Sequence, residues 1–306
     1  DELKAVYCIG ENPVDSEADA IHARAMLERL DMLVVQDVFM TRTAEMADVV
    51  FPAALGWAES DGTATNSERR VQRMRAAVPP PGQARQEVGI INDLAAAMGD
   101  DQWGQPAPED LWEELRTVSP MHGGMSWDRL EAEGGIQWPC PTDDHPGSSF
   151  LHGRLWERPV QGRLAPFSCV EDRPPLDVLT EEFPLRLTTV RALDSYNTGV
   201  QTQHFPSPIR TGEALSISTT DAHLLGVADG ERVTVSSRRG SITMTIEVEE
   251  HLAVGLCHTT FHFPETTDIN QITSDAVDPK SGTAEFKAAA VRVDKLVEGP
   301  LVGNNA

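Results

Sequence analysis

Lysine is scarce in this 306-residue sequence, which has only Lys4, Lys280, Lys287 and Lys295, so arginine supplies nearly all the positive charge. Aspartate and glutamate number 48, and the net charge is -23. So acidic a surface repels the phosphates of nucleic acids, because binding them depends on neutralising cations. The composition therefore argues against a nucleic-acid partner. Two sources would explain this charge balance: a salt-rich environment, or a GC-rich genome in which arginine codons replace lysine codons. The excess of carboxylates favours the salt-rich environment.

Cysteine is also rare. Cys8, Cys140, Cys169 and Cys257 lie far apart with no Cys-x-x-Cys pair, which excludes an iron–sulfur or zinc cluster built from local ligands. We expect structural thiols and a cytoplasmic location, where thiols stay reduced. His258 and His262 would share one face of a strand, but they lack the glutamate of a helical zinc motif. We therefore predict no metal ligand.

Long apolar runs and several common catalytic motifs are missing as well. No run is long enough for a membrane span. There is no Gly-x-Gly-x-x-Gly, phosphate-loop lysine or Gly-x-Ser-x-Gly motif, so nucleotide and serine hydrolases are unsupported. Residues 1–4 do not resemble a signal peptide and lead directly into a strand-like run. We expect the chain to begin within a domain.

Residues 1–100 have the pattern of an α/β domain. Apolar runs at 5–9, 32–35 and 47–51 predict strands, and the continuous apolar run at 32–35 is typical of a parallel sheet covered on both faces. Helical spacing of apolar residues follows at 21–30 and 88–98. Ser16 with Asp19 resembles the N-terminal cap of the first helix.

The remainder is predicted to be a connector and a barrel. Residues 101–182 are irregular but contain five of the six tryptophans, with short helices near 110–116 and 127–133. Residues 183–297 are β-rich, with turn signals at Asp229-Gly230 and Arg239-Gly240. The predicted strands are 185–189, 232–237, 241–248, 256–263 and 288–293, with a short helix at 221–225.

Two polar segments follow predicted strands of the first domain. Gly10-Glu11-Asn12-Pro13 comes after the first strand and Asp37 after the second. Ligands of open α/β sheets lie at the carboxyl ends of strands, where a glycine admits a ligand to the backbone. Glu11 or Asn12 could hydrogen-bond such a ligand, and Asp37 could accept from a ribose hydroxyl or a guanine edge. A capped turn and a solvated aspartate remain the alternatives.

Cationic side chains at three places in the sequence could bind an anionic ligand. Arg69 and Arg70 close a polar stretch at 59–72 that we predict to be a loop. They could instead pair with carboxylates of the same stretch. Arg191 follows a strand end and precedes a polar loop, and Lys287 precedes an apolar strand. A surface salt bridge is the alternative for each, although the scarcity of lysine weakens it for Lys287.

The order of several motifs resembles a known family. The segments 10–13, 33–53 and 61–72 read Gly-Glu-Asn-Pro, Leu-Val-Val-Gln-Asp through Phe-Pro-Ala, and Asp-Gly-Thr through Arg-Arg-Val-Gln. Segments 135–141, 187–191 and 282–287 agree. Together they resemble the catalytic subunit of the molybdopterin-dependent formate dehydrogenases from residue 6 to about residue 296.

The resemblance implies a fold and a set of contacts. The fold is the later half of a Rossmann-like parallel-sheet domain at 1–100, followed after the connector by a double-psi β-barrel at 183–297. The barrel covers molybdopterin guanine dinucleotide. Ser195, Asn197 and Phe286 depart from a relative's histidine, serine and tyrosine. The implied cofactor-binding residues are Gly10, Glu11, Asn12, Asp37, Arg191, Ser195, Asn197, Asn270, Phe286 and Lys287.

The resemblance also implies a reaction. Formate is oxidised to carbon dioxide, and two electrons pass through molybdenum or tungsten, held by two copies of the dinucleotide, to a [4Fe–4S] cluster. The family's cluster cysteines and catalytic metal ligand have no counterpart here, so we expect no catalytic residue in this chain. We expect it to be inactive alone and to need the N-terminal remainder of the enzyme.

Three functional alternatives remain open. The leading one is the dinucleotide-binding portion of a formate dehydrogenase, with electron-transfer subunits as further candidate partners. The second is a nitrate reductase-type member of the same family. The third is a stand-alone protein that binds or delivers the cofactor. Half a sheet would also leave an open edge, so the isolated chain is expected to associate.

Overall fold

A computed structural model describes residues 2–151, 169–198 and 212–296. They belong to two compact units. The first contains residues 2–33, 41–48 and the described part of 171–296, and the second contains 34–40, 49–151 and 169–170. Both units are interrupted in sequence. The division into 1–100, 101–182 and 183–297 stays a prediction about domains.

The N-terminal part contains a three-stranded sheet in the order β1–β2–β3, formed by β1 (Ala5–Ile9), β2 (Met32–Asp37) and β3 (Val49–Pro52). Strands β2 and β3 are parallel, with Val34 opposite Val49 and Asp37 opposite Pro52. The predicted strands are therefore present, and β2 extends two residues beyond the apolar run that predicted it.

Three short helices connect these strands: α1 (Pro13–Ser16), α2 (Ala20–Leu27) and α3 (Arg42–Glu45). The predicted helix cap is confirmed for Asp19 and is wrong for Ser16. Ser16 is the last residue of α1, and Asp19 caps α2 by accepting a hydrogen bond from the His22 amide. Pro13 supplies the start of α1, because proline suits a first helical turn in which its missing N–H is not needed.

The second unit has a small sheet and three helices. Strands β4 (Gly62–Thr65), β5 (Arg70–Met74) and β6 (Ile136–Gln137) form it in that order. Helices α4 (Glu87–Ala97), α5 (Pro108–Val118) and α6 (Trp127–Glu133) match the predicted helices within two residues. The core of this unit contains Val71, Trp112, Met125, Leu130, Ile136 and Cys140.

The prediction of a loop at 59–72 is wrong, because β4 and part of β5 lie there and pair antiparallel, with Gly62 opposite Met74. The alternation of apolar and polar residues that identifies strands is weak here, since only Val71 reaches the core. Backbone hydrogen bonds and the β propensity of threonine form the hairpin instead. Arg69, at the turn, adopts the left-handed conformation with φ +65°.

The C-terminal part is a closed six-stranded barrel in the order β10–β8–β11–β7–β12–β9. The pairs β10–β8 and β11–β7 are parallel, and the other four pairs of neighbouring strands are antiparallel. This confirms the predicted fold, a parallel-sheet part followed by a double-psi β-barrel. The strands are β7 (Leu185–Thr189), β8 (Ala214–Ser218), β9 (Arg232–Ser236), β10 (Ser241–Glu249), β11 (Leu256–Thr259) and β12 (Ala289–Lys295).

Apolar side chains fill the barrel. Leu187, Leu215, Ile217 and Val235 are wholly buried, and each such side chain contributes roughly 1.5–3 kcal/mol to folding. Helix α7 (Thr219–Leu225) and a 3-10 turn (Ile269–Gln271) pack beside the barrel. Strand β11 ends at Thr259, four residues before the predicted end, and the segment 260–263 leaves the barrel wall.

No helix of the described ranges is long and apolar enough to cross a bilayer.

Candidate functional site

The segment 190–198 leaves the end of β7 and carries three of the predicted cofactor-binding residues. Arg191 and Asn197 are exposed and Ser195 is half-buried. The Ser195 hydroxyl donates to Asp194 at 3.3 Å. Asn197 has φ +46°, a left-handed conformation that non-glycine residues rarely adopt and that asparagine tolerates better than most. The loop therefore displays polar side chains on a constrained backbone.

His262 anchors this loop. Its buried ring accepts from the Ala192 amide through Nε2 at 3.1 Å and contacts the Asn197 carbonyl through Nδ1 at 2.6 Å. His258 faces Glu249 instead, with 2.9 Å between Nε2 and Oε1. The two histidines therefore have separate partners, and their i, i+4 spacing does not give a shared metal site.

Glu213 supports the segment that carries His262. Its buried carboxylate accepts from the amides of His262 and Phe263 and from the Thr260 hydroxyl. Three donors offset the cost of burying a carboxylate. Neither Glu213 nor the anchoring role of His262 was predicted. The only sequence signal was the His258–His262 spacing, which suggested a metal.

Lys287 and Arg191 lie near each other at the same end of the barrel. The Lys287 ammonium donates to the Thr189 carbonyl, and the Thr189 hydroxyl donates to the Phe286 carbonyl at 3.1 Å. Burial and the positive charge of Arg191 both lower the pKa of Lys287. The Arg191 guanidinium lies 5.7 Å from the centre of the Phe261 ring.

Neither of these two cations has a carboxylate partner within the described ranges, so the salt-bridge alternative for them is not seen there. Like charges brought together without a counter-charge create a positive potential that favours an anion. The structure therefore brings together Arg191, Ser195, Asn197, Phe286 and Lys287, five of the ten predicted residues.

Gly10, Glu11 and Asn12 follow β1. Gly10 is exposed with φ +63° and open space where a Cβ would stand, and Glu11 is exposed. Asn12 is tied down, because its Nδ2 donates to Asp15 at 2.5 Å and its Oδ1 accepts from the Thr43 hydroxyl at 2.7 Å. Gly10 and Glu11 are thus available to a ligand, whereas the Asn12 amide fixes the turn.

Asn270 makes a similar structural connection. Its Nδ2 donates to the Asp15 carbonyl at 2.9 Å, and its Oδ1 accepts from the Thr273 hydroxyl at 3.1 Å. Asn270 is buried, as are Asp15 and Asp268, and Arg42 pairs with both of these carboxylates. A cofactor contact by Asn270 stays a prediction.

Asp37 belongs to the second unit. It is half-buried at the end of β2, and its Oδ1 accepts from the Phe39 amide at 2.9 Å. Burial raises the pKa of Asp37, while hydrogen bonds from the amides of Phe39 and Val38 oppose that rise. The carboxylate thus turns the chain after β2, and a contact from Asp37 to a ligand stays a prediction.

Arg69 and Arg70 bind the protein itself. The Arg69 guanidinium donates to the carbonyls of Trp138 and Ser148, the latter at 3.2 Å. Arg70 donates to Glu68 at 2.8 Å and to the Gly135 carbonyl at 3.0 Å. Their donors join β5 to the segment 135–149, so the structural interpretation is the better supported of the two.

Three of the four cysteines are buried, whereas Cys169 is exposed. Burial, with a smaller contribution from the charge of Asp221, raises the pKa of the Cys257 thiol. This supports the structural-thiol prediction for the three buried cysteines but not for Cys169. The described residues also contain one group with metal-ligand spacing, Asp19, His22 and Asp275, which lies at the surface.

Two family profiles match the chain. The profile described as molybdopterin oxidoreductase matches residues 1–97. The one described as molydopterin dinucleotide binding domain matches residues 185–290. The second range covers nearly all of the barrel, including Arg191, Ser195, Asn197, Asn270, Phe286 and Lys287.

Curated relatives extend the similarity over nearly the whole chain. It is 42% identical over 299 residues to F420-dependent formate dehydrogenase 2 subunit alpha of Methanococcus maripaludis, covering 97% of this chain and 44% of the relative. It is 34% identical to the assimilatory nitrate reductase catalytic subunit of Bacillus subtilis, covering 95% and 42%. The chain thus spans less than half the length of these relatives.

A solved structure supports the fold. Acetylene hydratase from Pelobacter acetylenicus superposes with a TM-score of 0.71 at 18% identity, covering 96% of this chain and 44% of that one. The two profiles occur in this chain in order, one on the sheet-containing N-terminal part and one on the barrel. Residues 1–97 therefore match the molybdopterin oxidoreductase family, and residues 185–290 match the molydopterin dinucleotide binding domain.

Proposed function

We propose that this chain binds molybdopterin guanine dinucleotide as the C-terminal portion of a formate dehydrogenase. The observation that carries the proposal is the adjacent pair Arg191 and Lys287, whose positive charges are not neutralised by a carboxylate in the described ranges. The cofactor carries a pyrophosphate, which such a pair suits. When bound, the cofactor would hold the molybdenum or tungsten at which formate is oxidised to carbon dioxide.

Each group of site residues has a role in this proposal. Arg191 and Lys287 bind the anionic part of the ligand, while Ser195, Asn197 and Phe286 border it. Gly10 and Glu11 offer an open strand end, and Asp37 accepts from a ribose hydroxyl or from the N–H edge of guanine. Asn12 and Asn270 hold the surrounding backbone. The protein's contribution is orientation and electrostatics.

The catalytic metal ligand and the [4Fe–4S] cluster would come from residues outside this sequence, and so would the contacts to electron-transfer subunits. The ten residues are proposed to bind the cofactor, and we propose no proton transfer and no metal coordination by any of them. The proposed substrate is formate, because the formate dehydrogenase relative is the more similar of the two compared above. A cytoplasmic location, suggested by the sparse cysteines, is part of the same proposal.

Nitrate reduction is the second candidate, because a nitrate reductase subunit is also similar over 95% of this chain. The two are separated by assaying the protein produced from its own gene, under anoxic conditions, for formate-dependent dye reduction and for nitrate consumption. Formate activity alone supports the proposal. Nitrate activity alone replaces it with the second candidate.

Cofactor binding is tested separately from activity. The purified protein is denatured, and the released guanine nucleotide is quantified by chromatography. Arg191→Ala and Lys287→Met are expected to lose most of it, whereas Arg232→Ala and Lys280→Met, which replace exposed cations elsewhere, are expected to retain it. Absence of guanine nucleotide from the unaltered protein would refute dinucleotide binding. Abundant nucleotide in an inactive protein would favour the stand-alone carrier.

A further inference from the structure

The loop at 190–198 needs an internal anchor if it is to present a defined surface. It carries Arg191, Ser195 and Asn197, and its backbone is left-handed at Asn197, with φ +46°. Such a conformation is disfavoured for a residue with a Cβ and persists only where neighbouring groups hold it. The carbonyl of Asn197 is held by a side chain from another segment, His262.

The hydrogen bonds of His262 define its tautomer. A backbone amide can only donate, so the contact from Ala192 to Nε2, at 3.1 Å, makes that nitrogen an acceptor. The proton then belongs on Nδ1, which donates to the Asn197 carbonyl at 2.6 Å. One neutral ring therefore joins the two ends of a six-residue stretch through its amide and carbonyl groups.

The ring itself has little freedom to move. His262 is 0% exposed, so water does not compete for its two hydrogen bonds. Its backbone amide donates to Glu213, which also accepts from Phe263 and Thr260. The ring packs against Phe261, with 5.1 Å between centres and an angle of 36° between the ring planes. Glu213 thus fixes the segment, and the segment fixes the ring.

We propose that His262, in its Nδ1–H form, is a positioning residue for dinucleotide binding: it holds the 192–197 backbone so that Arg191, Ser195 and Asn197 meet the ligand in one arrangement. This inference rests on the proposed function. A histidine that only filled space would not need both nitrogens bonded to a single loop that carries three site residues. Preorganisation strengthens binding, because the loop is ordered before the ligand arrives.

The test compares His262→Phe and His262→Gln with His258→Phe in the protein produced from its own gene. Phenylalanine keeps the ring volume but leaves the Ala192 amide and the Asn197 carbonyl without partners. Glutamine can still accept from one and donate to the other. His258 is the control, because it is half-buried on β11 and bonds to Glu249 rather than to the loop.

Two quantities are measured: the rate at which guanine nucleotide leaves the protein during anoxic dialysis, and amide hydrogen exchange in 190–198. For His262→Phe we expect loss of nucleotide at least about tenfold faster and faster loop exchange, with exchange in β7 and β11 unchanged. His262→Gln should fall between this variant and the unaltered protein. His258→Phe should match the unaltered protein.

The inference is overturned if His262→Phe keeps nucleotide and loop exchange at the unaltered values, or if His258→Phe changes both equally. If His262→Phe does not fold, loop exchange in His262→Gln is compared instead with loop exchange in His258→Gln. Faster loop exchange than in His258→Gln supports the inference, and equality overturns it. If the unaltered protein holds no guanine nucleotide, the proposed function fails, while loop exchange still reports whether His262 orders the loop.

Discussion

The ammonium of Lys287 donates a hydrogen bond to the Thr189 carbonyl and is close enough to the Arg191 guanidinium for their positive charges to repel each other. Burial and this repulsion both favour the neutral amine and lower the pKa of Lys287. An amine with a lowered pKa is the more nucleophilic one near neutral pH, because more of it is unprotonated.

Lys287 is therefore expected to react faster with an acylating reagent at pH 7–8 than Lys4, Lys280 or Lys295. The advantage should disappear above about pH 10.4, where an ordinary lysine is also deprotonated. Peptide mass spectrometry after short reaction times measures the four rates. Bound dinucleotide should protect Lys287 and leave Lys280 unchanged. Slow reaction of Lys287 in protein without nucleotide would contradict the expectation.

Arg191→Gln tests the interaction between the two cations. Removal of the guanidinium charge should raise the pKa of Lys287 and so slow its acylation at neutral pH. Arg232→Gln, an exposed arginine on β9, should leave the rate unchanged. Equal rates in both variants would mean that burial alone lowers the pKa of Lys287.

Asp177 should make stability depend on pH in the acidic range. Burial opposes its ionisation, but Arg239, Arg238 and the Ala290 amide outweigh burial and lower the pKa of Asp177. A carboxylate with a lowered folded pKa stabilises the fold above its unfolded pKa of about 3.9, and this contribution is lost as the pH falls through the folded value.

Asp177→Asn is expected to lower the free energy of unfolding by about 3 kcal/mol at pH 7, with a smaller deficit below about pH 3. Urea unfolding followed by circular dichroism across this range measures it. Asp294→Asn removes an exposed partner of Arg292 and should cost less than about 1 kcal/mol. A pH-independent deficit at position 177 would rule out the ionic explanation.

Arg42 is shared by two buried carboxylates, Asp15 and Asp268. Burial raises the pKa of Asp268, and the charge of Asp15 adds to that rise, while Arg42 opposes it. Arg42→Met should cost about 3–5 kcal/mol at pH 7, because it leaves two like charges buried. Since a raised folded pKa favours the protonated form, the deficit should shrink as the pH falls.

The matched control is Arg24→Met. Arg24 pairs with Glu28 on α2, where both side chains are more than half exposed, so the cost should stay below about 1 kcal/mol. Thermal unfolding at pH 7 and pH 5 measures both variants. A deficit for Arg42→Met that grows towards pH 5 would contradict this account.

The net charge of -23 predicts that stability rises with salt. Repulsion among the carboxylates weakens as the Debye length falls from about 10 Å at 0.1 M to about 3 Å at 1 M. The urea midpoint should therefore increase in sodium chloride over this range. A variant with Glu109, Glu114 and Glu250 changed to glutamine should respond less. An unchanged midpoint in both proteins would exclude charge repulsion as a destabilising factor.

Much of the fold could be predicted where apolar residues recur at the spacing of a helix or strand. The predicted bounds of β1, β7 and α6 match the structure, because apolar residues define each of them. The β4–β5 hairpin could not be found this way. Strand β8, Ala214–Ser218, was missed although Leu215-Ser216-Ile217-Ser218 alternates between apolar and polar residues as a strand does.

The site shows a different limit. The sequence identified Arg191 and Lys287 separately, but only the folded chain brings them together. Asn12 and Asn270 were predicted as ligand contacts, yet their amides bind Asp15, across 255 residues in the case of Asn270. His262 had no pattern that could distinguish a loop anchor from a metal ligand. Long-range hydrogen bonds leave no local periodicity, so they could not be predicted.

The closure of the barrel separates folding from cofactor loading. Because every one of its six strands has a neighbour on both sides, the barrel can complete its backbone hydrogen bonding without any ligand. Five of the residues proposed to bind the dinucleotide lie beside the ends of barrel strands, Arg191, Ser195 and Asn197 after β7 and Phe286 and Lys287 before β12. The barrel itself can therefore fold before the cofactor binds, and insertion of the cofactor would rearrange the loops beside these strands rather than the strands themselves.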